Sequence, residues 1–127
     1  MPKPKVILII EDDESIGTVL LEKFKKEEFH VEFAQDGFAG LELALNTHPD
    51  IILLDILMPK MSGLATLRSL RKDSWGSQVP VIILSNVSSE KEEVIKSVAK
   101  DKPSYYMVKS DVTLDQIVGK VKELMVV

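Results

Sequence analysis

Ile51-Ile52-Leu53-Leu54-Asp55-Ile56-Leu57-Met58-Pro59 is an apolar run broken once, by an aspartate, and closed by a proline. Four consecutive branched apolar residues leave no polar face, which is the pattern of a strand covered on both sides in a parallel sheet. A carboxylate inside such a stretch is costly to bury without a partner, so Asp55 calls for a cation or hydrogen-bond donors at the strand's end.

Working outward, four more short apolar runs predict strands at Lys5–Ile10, Val31–Ala34, Val79–Leu84 and Tyr105–Val108, with the central one over Ile51–Leu54. Each is followed by residues of helical spacing. Ile16, Val19, Leu20 and Phe24 mark one face of a first helix, and Asp36 caps a second that is expected to bury Phe38, Leu41 and Leu45 before Asn46-Thr47-His48-Pro49 ends it. The loop Pro59-Lys60-Met61-Ser62-Gly63 leads into a third helix with Leu64, Leu67 and Leu70 on one side. Val94, Ile95, Val98 and Ala99 give a narrow stripe to a fourth helix over Glu90–Lys100, and Leu114, Ile117, Val118, Val121, Leu124 and Met125 define a last one over Leu114–Met125. Five β-α units with right-handed crossovers predict a doubly wound parallel sheet of order 2-1-3-4-5, in which the winding reverses between strands one and three. Ligands of such sheets sit at the carboxyl ends of the strands beside that reversal.

A chain of 127 residues, 45% apolar and 28% charged, is expected to form one domain over residues 1–127. Its apolar runs are too short for a membrane span, and the five apolar residues after Met1-Pro2-Lys3-Pro4-Lys5 are too few for a signal peptide, so a cytoplasmic location is expected. With no cysteine there is no disulfide, thiolate metal site or cysteine nucleophile, and two histidines, His30 and His48, do not make a zinc site. A formal charge of −4 argues against nucleic-acid capture by this domain alone and favours a protein partner.

Strand one ends in Glu11-Asp12-Asp13-Glu14 and strand three in Asp55, which brings at least three carboxylates to one edge. Two such charges about 4 Å apart repel by on the order of 4 kcal/mol at an effective dielectric of 20. Either a protonated member or a hard divalent cation relieves this, and Mg2+ characteristically combines one or two carboxylates with waters and a phosphate oxygen. Taken alone, Glu11–Glu14 read equally well as charges at a helix N-terminus, and Asp13 and Glu14 are assigned that role. Strand four ends at Ser85 and strand five at Lys109, adding a hydroxyl and an ammonium. Singly, Ser85 reads more readily as a turn residue and Lys109 as a surface charge; their placement at successive strand ends is the signal. Asp55 as nucleophile, Lys109 and Mg2+ as charge partners and Ser85 as donor make a phosphoryl-transfer set.

With Ile9-Ile10-Glu11-Asp12-Asp13, Leu53-Leu54-Asp55-Ile56-Leu57-Met58-Pro59 and Ser62-Gly63, Ile83-Leu84-Ser85, and Tyr106-Met107-Val108-Lys109, the sequence closely resembles the receiver domain of two-component response regulators over essentially its whole length. The resemblance implies a flavodoxin-like fold and phosphoryl transfer to Asp55 from a phosphohistidine on a sensor histidine kinase or a histidine phosphotransfer protein. It implies that Asp12, Asp55 and the backbone carbonyl of Leu57 contact Mg2+, with Glu11 acting through water. Ser85 is then the switch hydroxyl and Tyr106 the switch aromatic, moving the surface of the fourth helix, fifth strand and fifth helix. The output is a downstream protein target or a fused output domain, and dimerisation on phosphorylation fits the same scheme. Tyr106 reads equally as a sheet-edge aromatic with its hydroxyl in water.

Departures from the family pattern are Lys109-Ser110 in place of Lys-Pro, Lys102-Pro103 before strand five, and Asn86 after the switch hydroxyl, which narrows entry for acyl phosphates. Leu57 and Val87, two residues beyond Asp55 and Ser85, cannot orient a water, so a long-lived phosphoaspartate is expected. Leu57 also disfavours a phosphohydrolase, which would use an acid/base carboxylate there. A docking module that never takes phosphate is disfavoured by the intact Asp12, Asp55, Ser85 and Lys109.

Overall fold

The computed structural model describes residues 3–56, 58, 60–86 and 105–125. Strands β1 (Val6–Ile10), β2 (His30–Ala34), β3 (Ile51–Leu54), β4 (Val81–Ser85) and β5 (Tyr105–Val108) lie parallel in the order β2-β1-β3-β4-β5, as the sequence predicts. Helices α1 (Glu14–Lys26), α2 (Gly37–Thr47), α3 (Gly63–Lys72) and α4 (Leu114–Met125) accompany them. The helix expected over Glu90–Lys100 lies outside the described residues.

Strand alternation divides the core in two. Leu8, Ile10, Ile52, Leu54 and Ile83 face Leu67 and Leu70 of α3, while Ile7, Ile9, Ile51, Leu53 and Ile82 face Leu20 and Phe24 of α1 and Ile117, Val118 and Val121 of α4. Covering on both faces is why these strands carry no polar alternation. Each fully buried side chain contributes about 1.5–3 kcal/mol.

The helices start where their caps dictate. Asp13 accepts from the amides of Ser15 and Ile16 at 3.0 and 3.2 Å, Asp36 from Ala39 at 2.8 Å and Ser62 from Ala65 at 3.2 Å. His48 ends α2 in the left-handed conformation. Among the described residues no helix is long and apolar enough to cross a membrane.

Some expectations need correction. Strand ends differ by one or two residues: β1 begins at Val6, β2 at His30, and β4 runs Val81–Ser85 because Pro80 has no amide to donate to a neighbouring strand. The face of α2 is also different. Phe38 is 61% exposed and Leu45 is exposed too, while Gly37, Gly40 and Ala44 are buried, Gly37 against Met61 and Thr66 and Gly40 against Ile10 of β1. A Cβ on Gly40 would come within 2.5 Å of Ile10 Cδ1, so the small residues let the helix approach closer than leucines allow. Val19 of α1 and Leu114 of α4 are likewise exposed, whereas Leu20, Phe24 and Ile117 are buried.

Candidate functional site

The reversal of winding places the ends of β1 and β3 side by side, and backbone bonds carry that pairing past the strands themselves. The Asp55 amide donates to Ile10 O at 3.0 Å, and the Glu11 amide donates to Ala34 O at 3.0 Å. Glu11 and Asp55 are therefore fixed by the ladder rather than by a loop. Beyond Asp55 the Gly63 amide donates to Ile56 O at 2.8 Å. A Cβ on Gly63 would overlap the Asp55 carbonyl oxygen, so the turn closes tightly only because the first residue of α3 has no side chain.

On the other side of the site, Ser85 is the last residue of β4 and pairs in register with Val108. Lys109 follows at once, in a 3-10 turn over Lys109–Asp111, and no cis peptide bond occurs among the described residues, so Lys109–Ser110 is trans. The long lysine stem reaches back across β4. Its Nζ donates to Glu11 Oε1 at 2.7 Å and lies 3.6 Å from Asp55 Oδ2.

One carboxylate oxygen from each of Glu11, Asp12 and Asp55 lies within 4.8 Å of the others. Glu11 is 3% and Asp55 6% exposed, while Asp12 stands in solvent at the mouth. These residues line a cavity of about 210 Å³ together with Asp13, Ile16, Ser85, Asn86 and Lys109. Three converging acids with hard oxygen donors suit a divalent cation such as Mg2+. The acids also act on one another. Burial raises the Glu11 carboxyl from its ordinary 4.5 to about 7; the Asp55 charge adds to the rise, and the Lys109 hydrogen bond opposes it.

Tyr106 is half-buried on the face shared with Ile83, its register partner, and so with Ser85 two residues further on. Its phenol is pushed up by burial and then by the Asp55 charge, which places it within electrostatic range of the site. Tyr105 points the opposite way, its ring 4.1 Å from Lys120 Nζ.

The structure thus gathers Glu11, Asp12, Asp55, Ser85 and Lys109 into one cavity and sets Tyr106 on the adjoining strand. Leu57 lies outside the described residues. Asp13 caps α1, as the sequence reading assigns. The direct bond between Glu11 and Lys109 is the feature that sequence reasoning missed. The signal available was the glutamate itself, one methylene longer than aspartate and able to reach an ammonium two strands beyond β3.

The response regulator receiver domain family matches residues 7–122. The response regulator MprA of Mycobacterium sp. (strain KMS) is 36% identical over 91 residues, which is 72% of this chain and 39% of that protein, so the chain spans only about two fifths of such relatives. Among solved structures, a CheY-like receiver domain protein from Methanospirillum hungatei JF-1 superposes with a TM-score of 0.87 at 25% identity, covering 97% of this chain and 94% of its own. The receiver domain of a sensor histidine kinase from Pseudomonas aeruginosa PAO1 has the same fold, with a TM-score of 0.87 at 20% identity, covering 97% of this chain and 98% of its own. A sheet that sets a buried aspartate beside two further acids, a serine and a lysine fits these matches, and the chain belongs to the response regulator receiver domain family of signalling domains.

Proposed function

We propose that Asp55 is the phosphoryl acceptor of this domain and that it takes the group from a phosphohistidine on a sensor histidine kinase or a histidine phosphotransfer protein. The observation that carries this is the position of the Asp55 carboxylate, 6% exposed at the end of β3, with Lys109 Nζ 3.6 Å from it and two acids beside it. A carboxylate oxygen of Asp55 forms the new bond to phosphorus as the phosphorus–nitrogen bond of the donor breaks, and the imidazole leaves with the electron pair. Lys109 offsets charge on the phosphoryl oxygens, and the Ser85 hydroxyl donates to one of them. Water then attacks phosphorus, the bond between phosphorus and the Asp55 oxygen breaks, and inorganic phosphate leaves with the carboxylate restored, so the domain promotes both gain and loss of the group.

Glu11, Asp12 and Asp55, with the backbone carbonyl of Leu57, would hold Mg2+. When bound, the ion supplies positive charge against the phosphoryl oxygens as they become more negative. The P. aeruginosa receiver domain has a magnesium ion coordinated in its active site cleft, and the three acids here offer hard oxygen donors suited to such an ion.

Output is a population shift in which Ser85 moves toward the phosphoryl group and Tyr106 turns inward, altering the surface around β5 for a downstream protein target or a fused output domain, with dimerisation as one route. The cysteine-free composition is in keeping with the cytoplasm. Intact mass after treatment with acetyl phosphate and Mg2+ tests the reading. Wild type should gain one phosphoryl unit and Asp55→Asn none; an unmodified wild type, or an equally labelled variant, refutes it.

A further inference from the structure

Strand β2 is the edge of the sheet opposite β5 and is bonded on one side only, to β1. In a parallel ladder, alternate residues turn both N–H and C=O toward the same neighbour. The His30 amide donates to Lys5 O at 2.9 Å and Ala34 O accepts from the Glu11 amide at 3.0 Å, so His30, Glu32 and Ala34 face β1. Val31 and Phe33 between them turn their backbone groups outward, where no bond to them is formed among the described residues. Such a row of open N–H and C=O groups is a template for another strand. Beside it runs a cavity of about 550 Å³ between the edge and α2, lined by Phe33, Gln35, Ala39, Glu42, Leu43 and Asn46.

The two faces of this edge differ in chemistry. Glu32 shares the α2 side with Ala34, and there Thr47 Oγ1 donates to its Oε1 at 2.7 Å. Val31 and Phe33 point the other way and pack with the apolar cluster that holds Leu20 and Phe24 of α1. Glu42 is the one charged residue in the cavity wall and adds a second acid on the α2 side. A further strand laid along β2 would therefore set alternate side chains against two acids and the others beside an apolar surface.

We propose that the outer edge of β2 is a docking site for an extended segment of a partner protein in which arginine or lysine alternates with apolar residues, added to the sheet as a sixth strand. Backbone bonds to Val31 and Phe33 supply the affinity, and Glu32 and Glu42 select basic side chains on the α2 side. The formal charge of −4 favours the same partner. A second copy of this chain is the poorer occupant. It brings the same two acids to the joint, and pairing about position 32 sets Glu32 opposite its own counterpart. Because β5 is the other edge of the sheet, a segment on β2 leaves the β5 surface open.

The probe is a synthetic hexapeptide alternating arginine and valine, titrated into the unphosphorylated chain and followed by amide NMR and hydrogen exchange. Saturable shifts are expected along β2 and at Glu42, with slowed exchange at the Val31 and Phe33 amides, the mark of strand pairing as opposed to loose attraction between charges. Glu42→Lys changes an exposed helix position, so the fold should persist while binding weakens about fivefold or more, the effect of reversing a surface charge pair. A peptide of the same composition with its arginines grouped before its valines should bind more weakly and leave both amides exchanging as in the free chain. Equal binding by the grouped peptide, unchanged exchange at Val31 and Phe33, undiminished binding by Glu42→Lys, or no binding at all overturns the proposal. Protection of those two amides that grows with the concentration of the chain alone also overturns it, by assigning the edge to a second copy.

Discussion

The carbonyl oxygen of Asp55 lies directly against the Cα of Gly63, where the chain leaves β3 and enters α3. Backbone sits on both sides of that contact, so a methyl group at position 63 cannot be accommodated by swinging a side chain away. Gly63→Ala should cost about 1–3 kcal/mol in urea unfolding, the range for forcing atoms into a filled space. It should also slow labelling of Asp55, the proposed acceptor, by acetyl phosphate, since relief of the clash must move the backbone of Asp55 itself. An alanine variant with wild-type stability and labelling would show that the turn has room to spare.

The raised Glu11 carboxyl predicts a pH dependence with a definite sign. Its ordinary value is 4.5 and burial, with Asp55 nearby, carries it to about 7, so the folded state holds this proton more tightly than the unfolded state. The stability it confers is fully present below about 4.5 and is lost as pH rises toward 7. The swing is on the order of 3 kcal/mol. Glu11→Gln keeps a neutral side chain at all pH, so in chelator the stability of wild type relative to this variant should fall across that window. A difference that is flat with pH, or rises, contradicts the assignment.

How much of this was legible depends on whether a feature is local. Strand identity and order follow from apolar runs that end in polar residues, and Glu11, Asp55, Ser85 and Lys109 are themselves those endings, so the site came with the fold. The buried face of α2 did not, because periodicity is read from large side chains and the true contact stripe is Gly37, Gly40 and Ala44. Strand alternation puts Tyr105 and Tyr106 on opposite faces: Tyr106 packs with the cluster that holds Ile83, and Tyr105 lies against Lys120 of α4, which agrees with the assignment of position 106 made from the resemblance. The Glu11–Lys109 bond joins residues 98 positions apart and depends on side-chain reach across β4, which no local pattern encodes.

With Asp55 as the proposed acceptor, the residue types two positions beyond it and beyond Ser85 predict the phosphoryl lifetime. Leu57 and Val87 offer no hydrogen bond to an incoming water. Loss of label from purified protein in Mg2+, followed after the donor is removed, should therefore be slow, and Leu57→Gln or Val87→Gln should speed it by roughly threefold or more. Rapid loss from the wild type, or no acceleration in either variant, would place control of hydrolysis elsewhere.

The switch itself can be separated from the chemistry at Ser85. This side chain is fully buried at the end of β4, lines the acceptor cavity, and stands on the face that carries Tyr106. On the proposed reading, acceptance of phosphate needs Asp55 and Lys109, whereas coupling to the β5 surface needs something that moves with the phosphoryl group. Ser85→Ala should therefore still be labelled by acetyl phosphate. In amide NMR spectra its phosphorylated form should lose most of the shift at Tyr106 and along the first turns of α4 that the wild type shows. The hydroxyl is buried and not without a polar partner, so its removal should also cost about 1–3 kcal/mol of stability. If Ser85→Ala is labelled and displays the full wild-type shift, Tyr106 responds to the charge on Asp55 directly, a route consistent with the Asp55 influence already felt by its phenol.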